Sequence, residues 1–370
     1  MNKLKVNALV IEPLKKVYFK DIFLSKKNKS DVKIDWAVSS VCNSERRRYN
    51  LTKSAFDDKP FIGGHEAVGY ISEESYPKKR YALLPHSNCL TRNDPEKCVS
   101  CENRTENLCK KMRHAGLDNN EPSGFSDMMY VNRSQLFDVS DIKLEISSFL
   151  EPLSCVVRSW NLTKANIKNK NLSIGIIGGG PIGCLHALYL NQINNKSEVF
   201  IIESSDSKRE ILKDIFKEIS NVKILDNSIS DKFDITVMAS SSSSGFEECS
   251  RLLKPKGKLI LFSGFNNTNY QNESYLPEII HRNEFIHFAQ NSLLIGSSGY
   301  TEKDLIISKK MLQNFDNLNK IITGKVYGLN SKVIHRYDGT HEEYNEPVLI
   351  KDIKGDFNSS HIKIQYFNEN

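Results

Sequence analysis

The chain of 370 residues contains no apolar stretch approaching the ~18–20 residues that cross a bilayer as a helix, so no membrane partner is expected. No export leader is expected either. The opening "MNKLKVNALVIEPLKK" is basic, but it lacks a long apolar run and a small-residue cleavage site. The expectation is a cytoplasmic protein. Concentrated charge is also absent. The 51 basic residues exceed the 45 acidic ones to give +6, yet the excess is spread along the chain, with short clusters such as "RRR". Nucleic-acid binders gather their charge in one patch or arm, so no nucleic-acid partner is expected. What remains is a chain with 39% hydrophobic residues, enough for a sizeable core, and a length that suggests two domains.

Eight cysteines stand at 42, 89, 98, 101, 109, 155, 184 and 249. Four of them fall between 89 and 109. Without a secretory signal, such a cluster reads as a metal site rather than a disulfide framework. Cys98-x2-Cys101-x7-Cys109, with Cys89 upstream, supplies four thiolates. Zinc accepts four such ligands tetrahedrally at about 2.3 Å. A closed four-sulfur site has no open position, so its expected role is structural: it pins a loop with little apolar core.

Residues 1–150 alternate short strand-like runs (6–11, 62–71, 81–85, 128–131) with polar loops. The stretch 144–165, "LEISSFLEPLSCVVRSWNLTKA", has helical spacing and reads as a connection between domains. From about 172, strands alternate with helices: "LSIGIIGGG", "PIGCLHALYLNQI", "EVFIIE", "SKREILKDIFKEI", and so on to "LLIGSSG" as a last strand and "TEKDLIISKKMLQNF" as a helix. This texture predicts a doubly wound parallel sheet. "SSSSS" at 240–244 reads as a loop. The expected division is 1–155, 156–300 and a return to the first domain over 301–370.

"GGGPIG" places Gly178, Gly180 and Gly183, with Pro181 and Ile182 between the last two, after a strand and at the start of a helix. The first glycine permits the turn, the second lets the backbone approach a pyrophosphate, and the third packs helix on strand. The helix N-terminus offers N–H groups to phosphates. Glu203 ends the next strand, where a carboxylate receives ribose hydroxyls and repels a 2′-phosphate. NAD is therefore favoured over NADP, although Lys208 and Arg209 follow closely. In "FIGGHEAVGY", His65 and Glu66 form a polar pair in an apolar run. Alone, the pair has a weak claim on chemistry.

Together these pieces resemble the zinc-containing medium-chain alcohol dehydrogenases, particularly the polyol, sugar and threonine dehydrogenase branch. The matching stretches run in order over nearly the whole chain: "VCNSE", "GGHEAVGY", "CVSCENRTENLC", "GFSDMMYV", "LEPLSC", "IGIIGGGPIG", "FDITVMAS", "LKPKGKLILFSGF", "LIGSSGY" and "ITGKVYGLNSKVIHRY". The resemblance implies an α/β protein: a GroES-like β-rich catalytic domain from both chain ends, plus a Rossmann coenzyme domain between them. It implies a catalytic zinc held by Cys42 and His65, with Glu66 as ligand or close neighbour. Glu151 matches the carboxylate that the polyol branch carries in place of a third cysteine. Ser44 matches the hydroxyl that passes the alcohol proton onward, or else caps a helix. Cys155 reads as a core thiol.

The departures from the family pattern lie near the same residues. Asn43 and Glu45 replace a glycine and an aspartate, and Arg46-Arg47-Arg48 replaces the usual relay residue. The arginines read as a solvated run, or one of them reaches an anion. Cys89 lies further from Cys98 than usual, and Pro347 is expected to break a helix. The implied activity is NAD-dependent oxidation of a secondary alcohol on a polyol, sugar or cyclitol, a small hydroxylated substrate. Threonine or sugar-phosphate oxidation is the enzymatic alternative, and a catalytically silent NAD- or zinc-binding protein the non-enzymatic one. A homodimer or homotetramer follows by analogy only.

Overall fold

The computed structural model describes residues 3–50, 59–73, 75–118, 123–163, 167, 171–263, 285–289, 292–357 and 360–368. It divides into two compact units. One comprises Met1–Glu151, Ser308–Asn358 and Lys363–Asn370. The other comprises Pro152–Ile307 and Ser359–Ile362.

The first unit is built on a mixed sheet. Its strand order is His341–Glu343, Val333–Arg336, Ile322–Tyr327, Lys363–Phe367, Asp31–Ser40, Glu66–Ile71, Arg80–Leu83, Leu136–Asp138, with Met128–Asn132 also paired to Asp31–Ser40. In Asp31–Ser40 the apolar residues alternate, and Val32, Ile34, Trp36 and Val38 are all buried. That is the period of a strand with one face on a core. The last strand of the chain inserts beside this early one, with Gln365 opposite Ser40 and Tyr366 opposite Ser39. On its other side Ser40 pairs with Glu66. Both chain ends therefore meet around residues 40 and 66. A core of Leu9, Ile11, Phe61, Phe125, Leu349, Ile364 and Tyr366 fills the space beside them. A separate hairpin, Leu4–Glu12 with Lys16–Leu24, extends the first expected strand into a pair.

The structure corrects several sequence expectations here. The run 62–71 is a strand only from Glu66. The single helix expected over 144–165 is two, Leu144–Ser147 and Leu150–Leu162. Residues 164–165 and 264–265 lie outside the described residues. Pro347 does not break a helix: it is the N-cap of Val348–Lys354, where its lack of an N–H costs nothing. The arginine run is not solvated. Arg48 is fully buried, with its guanidinium 4.0 Å above the Phe61 ring and a bond to the Lys59 carbonyl. Arg46 donates to the Asp352 carboxylate and, at 2.8 Å, to its carbonyl, while Tyr366 donates to the same carboxylate. Cys155 is half-buried rather than a core thiol.

The second unit is a sheet in the order Val222–Leu225, Glu198–Ile202, Ser173–Ile177, Phe233–Met238, Leu253–Leu261, Ser292–Gly296. All of these pair in parallel. Their continuous apolar runs suit strands covered on both faces. Phe285–Ala289 adds an antiparallel edge that the sequence reading did not anticipate. The helix Ser243–Arg251 begins inside the serine run, so only its first residues form a loop. The chain order reverses between Ser173–Ile177 and Phe233–Met238, the position at which open α/β sheets bind ligands.

His186, on the helix Pro181–Ile193, is fully buried in this unit. Its Nδ1 accepts from Trp160 Nε1 at 2.9 Å, and its ring meets Phe262 edge-on. Burial pulls its pKa down to about 3. The folded protein thus keeps this imidazole neutral, whereas the unfolded chain protonates it near its ordinary value of 6.5. Between these limits the unfolded state binds the extra proton, so stability falls as pH drops below about 6, with a limiting slope of about 1.4 kcal/mol per unit. His186→Asn keeps an acceptor for Trp160 and is expected to flatten this limb in denaturant titrations at pH 4–7. An unchanged limb would assign the acid sensitivity elsewhere.

Candidate metal centre and nucleotide turn

The strand Asp31–Ser40 delivers Cys42 to the N-cap of a short helix, Asn43–Tyr49. Glu45, at the third position of that helix, returns its carboxylate to the Cys42 N–H at 2.9 Å. This is the carboxylate half of a capping box. Ser44 is thereby excluded as the cap. Its Oγ is buried and has no hydrogen-bond partner in the structure.

Glu45 does more than close the helix. Its other oxygen accepts from Gly64 N and from His65 N at 3.2 Å, and lies 3.0 Å from His65 Nδ1. It is completely buried. Gly64 sits at φ +92°, and a Cβ there would come within 2.5 Å of Phe125 N. The glycines of "GGHE" thus let the loop pass close to 123–125, where Ser123 Oγ and Gly124 N both donate to the Gly64 carbonyl. This turn aims two N–H groups at Glu45 and sets its carboxylate beside the His65 ring. In the sequence Glu45 stands where the family carries an aspartate, longer but still able to accept hydrogen bonds, as it does here. Its spacing of three from Cys42 was the available signal.

The potential ligand atoms of Cys42, His65 and Glu66 lie within 4.8 Å of one another. Glu151, in the first turn of Leu150–Leu162, does not belong to this group. Burial alone would depress the pKa of His65. The Glu45 carboxylate and Cys42 more than offset that and hold it well above its ordinary value. The same field attracts a cation of any kind. Two thiol and imidazole donors, a carboxylate, and a second carboxylate behind the histidine are the chemistry of a zinc site with its supporting hydrogen bonds. Glu66 accepts from Ser40 Oγ at 2.6 Å and from the buried Lys363 ammonium. No local motif marks Lys363, which comes from the far end of the chain.

The second cluster holds Cys89, Cys98, Cys101 and Cys109, again with sulfurs within 4.8 Å of one another. Cys89 and Cys109 are 3.5 Å apart, and Cys98 and Cys109 3.7 Å. The long spacer after Cys89 folds back on itself. Arg92 bonds Asp94, the Ser87 carbonyl and Cys89 Sγ. Burial opposes ionisation of Cys98, but N–H groups of Cys101 and Lys110 pull its thiol down to about 6.

In the other unit, Gly178 turns the chain at φ +107° after Ser173–Ile177, and its N–H donates to the Ile202 carbonyl. A Cβ on Gly183 would lie 2.0 Å from the Gly178 oxygen, whereas one on Gly180 would meet nothing within 4 Å. Pro181 and Ile182 are the first helical residues. Glu203 follows Glu198–Ile202, and its carboxylate accepts from Gly179 N at 2.9 Å and Ser205 N at 3.0 Å. Lys208 stands 4.0 Å from it, and Arg209 is engaged by Asp206 and two carbonyls. Gly183→Ala is expected to cost at least about 2 kcal/mol by overpacking. Gly180→Ala should leave the melting temperature almost unchanged while weakening dinucleotide binding tenfold or more. Equal melting temperatures for the two variants would contradict this division of labour.

The chain that carries these two units and these two residue groups has the fold of solved zinc-binding dehydrogenases. Among solved structures, L-idonate 5-dehydrogenase from Escherichia coli K-12 matches with a TM-score of 0.71 at 18% identity, over 99% of each chain. A zinc-binding dehydrogenase from Sinorhizobium meliloti 1021 bound to NADP matches at 0.71 and 17%, over 98% of this chain and 99% of that one. In sequence, the chain is 24% identical over 212 residues to an L-idonate 5-dehydrogenase of Vitis vinifera, covering 54% of this chain and 55% of the relative. It is 23% identical over 186 residues to D-arabinitol dehydrogenase 1 of Uromyces fabae, covering 50% and 51%. The matches thus span about half the length of these curated relatives. No family model matches the sequence. Among the described residues, no helix is long and apolar enough to cross a membrane.

Proposed function

We propose that the protein is a zinc-dependent oxidoreductase that transfers a hydride between NAD and a secondary alcohol of a polyol, sugar or cyclitol. The observation that carries this reading is the convergence of Cys42, His65 and Glu66 within 4.8 Å, with Glu45 buried behind the histidine. These three residues would hold the catalytic metal, and Glu151 stays a candidate further ligand. When bound, zinc would supply Lewis-acid polarisation of the alcohol oxygen, and NAD would supply the hydride acceptor. The chain's own part is to fix the donors and to move a proton. Glu45 lies beside His65 Nδ1, and Ser44 Oγ, buried and without a bonded partner in the structure, would accept the alcohol proton while passing its own to water. Glu203 supports NAD over NADP: a 2′-phosphate would face a carboxylate already anchored by two backbone N–H groups. Cys89, Cys98, Cys101 and Cys109 would hold a structural zinc. A cytoplasmic homodimer or homotetramer completes the proposal, by analogy with the family.

A screen of polyols, sugars, cyclitols and threonine with NAD and NADP, following absorbance of the reduced coenzyme, tests the reading. Turnover with NAD on a polyhydroxy substrate is expected. Two bound zincs but no turnover on any substrate would favour the silent binding protein. The second enzymatic reading, an anionic substrate such as threonine or a sugar phosphate, rests on Arg47. Arg47 of the same run is half-buried; burial lowers its pKa and Cys42 opposes that shift. An Arg47→Ala variant whose Michaelis constants are all unchanged would remove that reading.

A further inference from the structure

An ammonium is costly to bury unless it is paired and hydrogen-bonded. Lys363, the first residue of the C-terminal strand, is only 4% exposed. Its Nζ donates to Glu66 Oε2 and, at 3.2 Å, to the carbonyl of Val41, the residue before Cys42. Ser40 Oγ donates to the same Glu66 oxygen at 2.6 Å. Oε2 therefore has two donors, and one ammonium ties together the backbone that carries Cys42 and the carboxylate beside His65. The two oxygens of Glu66 are not equivalent: both of these donors fall on Oε2.

We propose that Lys363 is a positioning residue that commits one oxygen of Glu66, so that this carboxylate offers a metal a single oxygen and a place beside Cys42 and His65 stays open for substrate. The inference rests on the dehydrogenase reading above. A purely structural lysine would contribute to stability without affecting how Glu66 meets a metal. Lys363 instead acts on the ligand set itself, and Ser40 acts on the same atom from the neighbouring strand.

Cobalt(II) distinguishes these roles, because its visible absorption is strong with four ligands and weaker with more. The metal-free protein is titrated with Co²⁺ as wild type, Lys363→Met, Lys363→Arg and Ser40→Ala. Spectra are read as differences from Cys42→Ala, which retains only the four-cysteine site. Lys363→Met is expected to weaken the visible band at least about twofold and to lower kcat by roughly 10–100-fold, as loss of a ligand's supporting partner does, with the KM for NAD unchanged. Lys363→Arg should restore both, and Ser40→Ala should shift the band in the same direction by less. Wild-type spectra in Lys363→Met and Ser40→Ala would overturn the proposal. Should Lys363→Met not fold, an unchanged spectrum in Ser40→Ala overturns it alone. A wild-type protein whose cobalt spectrum equals that of Cys42→Ala would overturn the underlying metal reading instead.

Discussion

Cys42→Ala and His65→Ala are each expected to lower alcohol oxidation by about 10³-fold or more and to reduce bound zinc from two per chain to one. The size follows from the chemistry. A Lewis-acid metal supplies several kcal/mol of charge stabilisation, and each 1.36 kcal/mol is tenfold in rate. Neither residue has an understudy. Among the described residues, Cys42, His65 and Glu66 are the group whose ligand atoms converge there, and Glu151 lies outside it. Both substitutions should leave the fold largely intact, because the sheet contacts of Ser40 and Glu66 are backbone pairings. Glu45 supplies a graded control. Glu45→Gln keeps the shape and the acceptor for the Cys42 N–H but removes the charge facing His65, so a 10–100-fold loss is expected. Metal analysis separates the outcomes. Two zincs retained in Cys42→Ala, or full NAD reduction in either alanine variant, would defeat the assignment of this site.

Much of the nucleotide turn was legible in the sequence because it is a local motif. The turn of "GGGPIG" needs glycines for reasons a sequence displays: a turn at Gly178 and a contact at Gly183 with no room for a side chain. Alternating strands and helices after residue 172 likewise announced a parallel sheet, which pairs as expected. What was not legible depends on distance along the chain. Lys363 reaches Glu66 across 297 positions, and Asp352 reaches Arg46 across 306. A buried lysine in a strand and an arginine in a basic run both look solvated until the final strand is inserted beside Asp31–Ser40. The choice between Glu66 and Glu151 was open for a similar reason. Both sit in motifs that the resemblance supports; pairing of Glu66–Ile71 with Asp31–Ser40 groups Glu66 with Cys42, and Glu151 stays a candidate. Ser44 shows the converse. Its residue type fits a helix cap, yet Cys42 already occupies the N-cap.

Cys101→Ser is expected to remove the other zinc and to lower the melting temperature by on the order of 5–10 °C, the equivalent of a few kcal/mol in a domain of this size. The loop that carries the cluster has little else to hold it. Beyond the four cysteines, its cluster includes only Leu90 and Met112, both partly buried. Metal binding there would therefore be a large share of local folding free energy, as in small zinc modules. The four sulfurs already lie in one group, and Cys98 is drawn toward the thiolate by N–H donors, so the loop is shaped to receive a dication rather than collapsed on an apolar core. Cys89 is the instructive case, because its spacer is long. Arg92, clamped by Asp94 and donating to Cys89 Sγ, holds this sulfur against the other three. Cys89→Ala should thus lose as much zinc as Cys101→Ser, and both variants should become sensitive to protease between residues 89 and 109. Cys184→Ala, a buried thiol of the other unit, should leave zinc content unchanged. If Cys89→Ala kept two zincs per chain, the fourth ligand would have to be sought elsewhere. If Cys101→Ser lost zinc without loss of thermal stability, the cluster would bind metal for a purpose other than holding its loop.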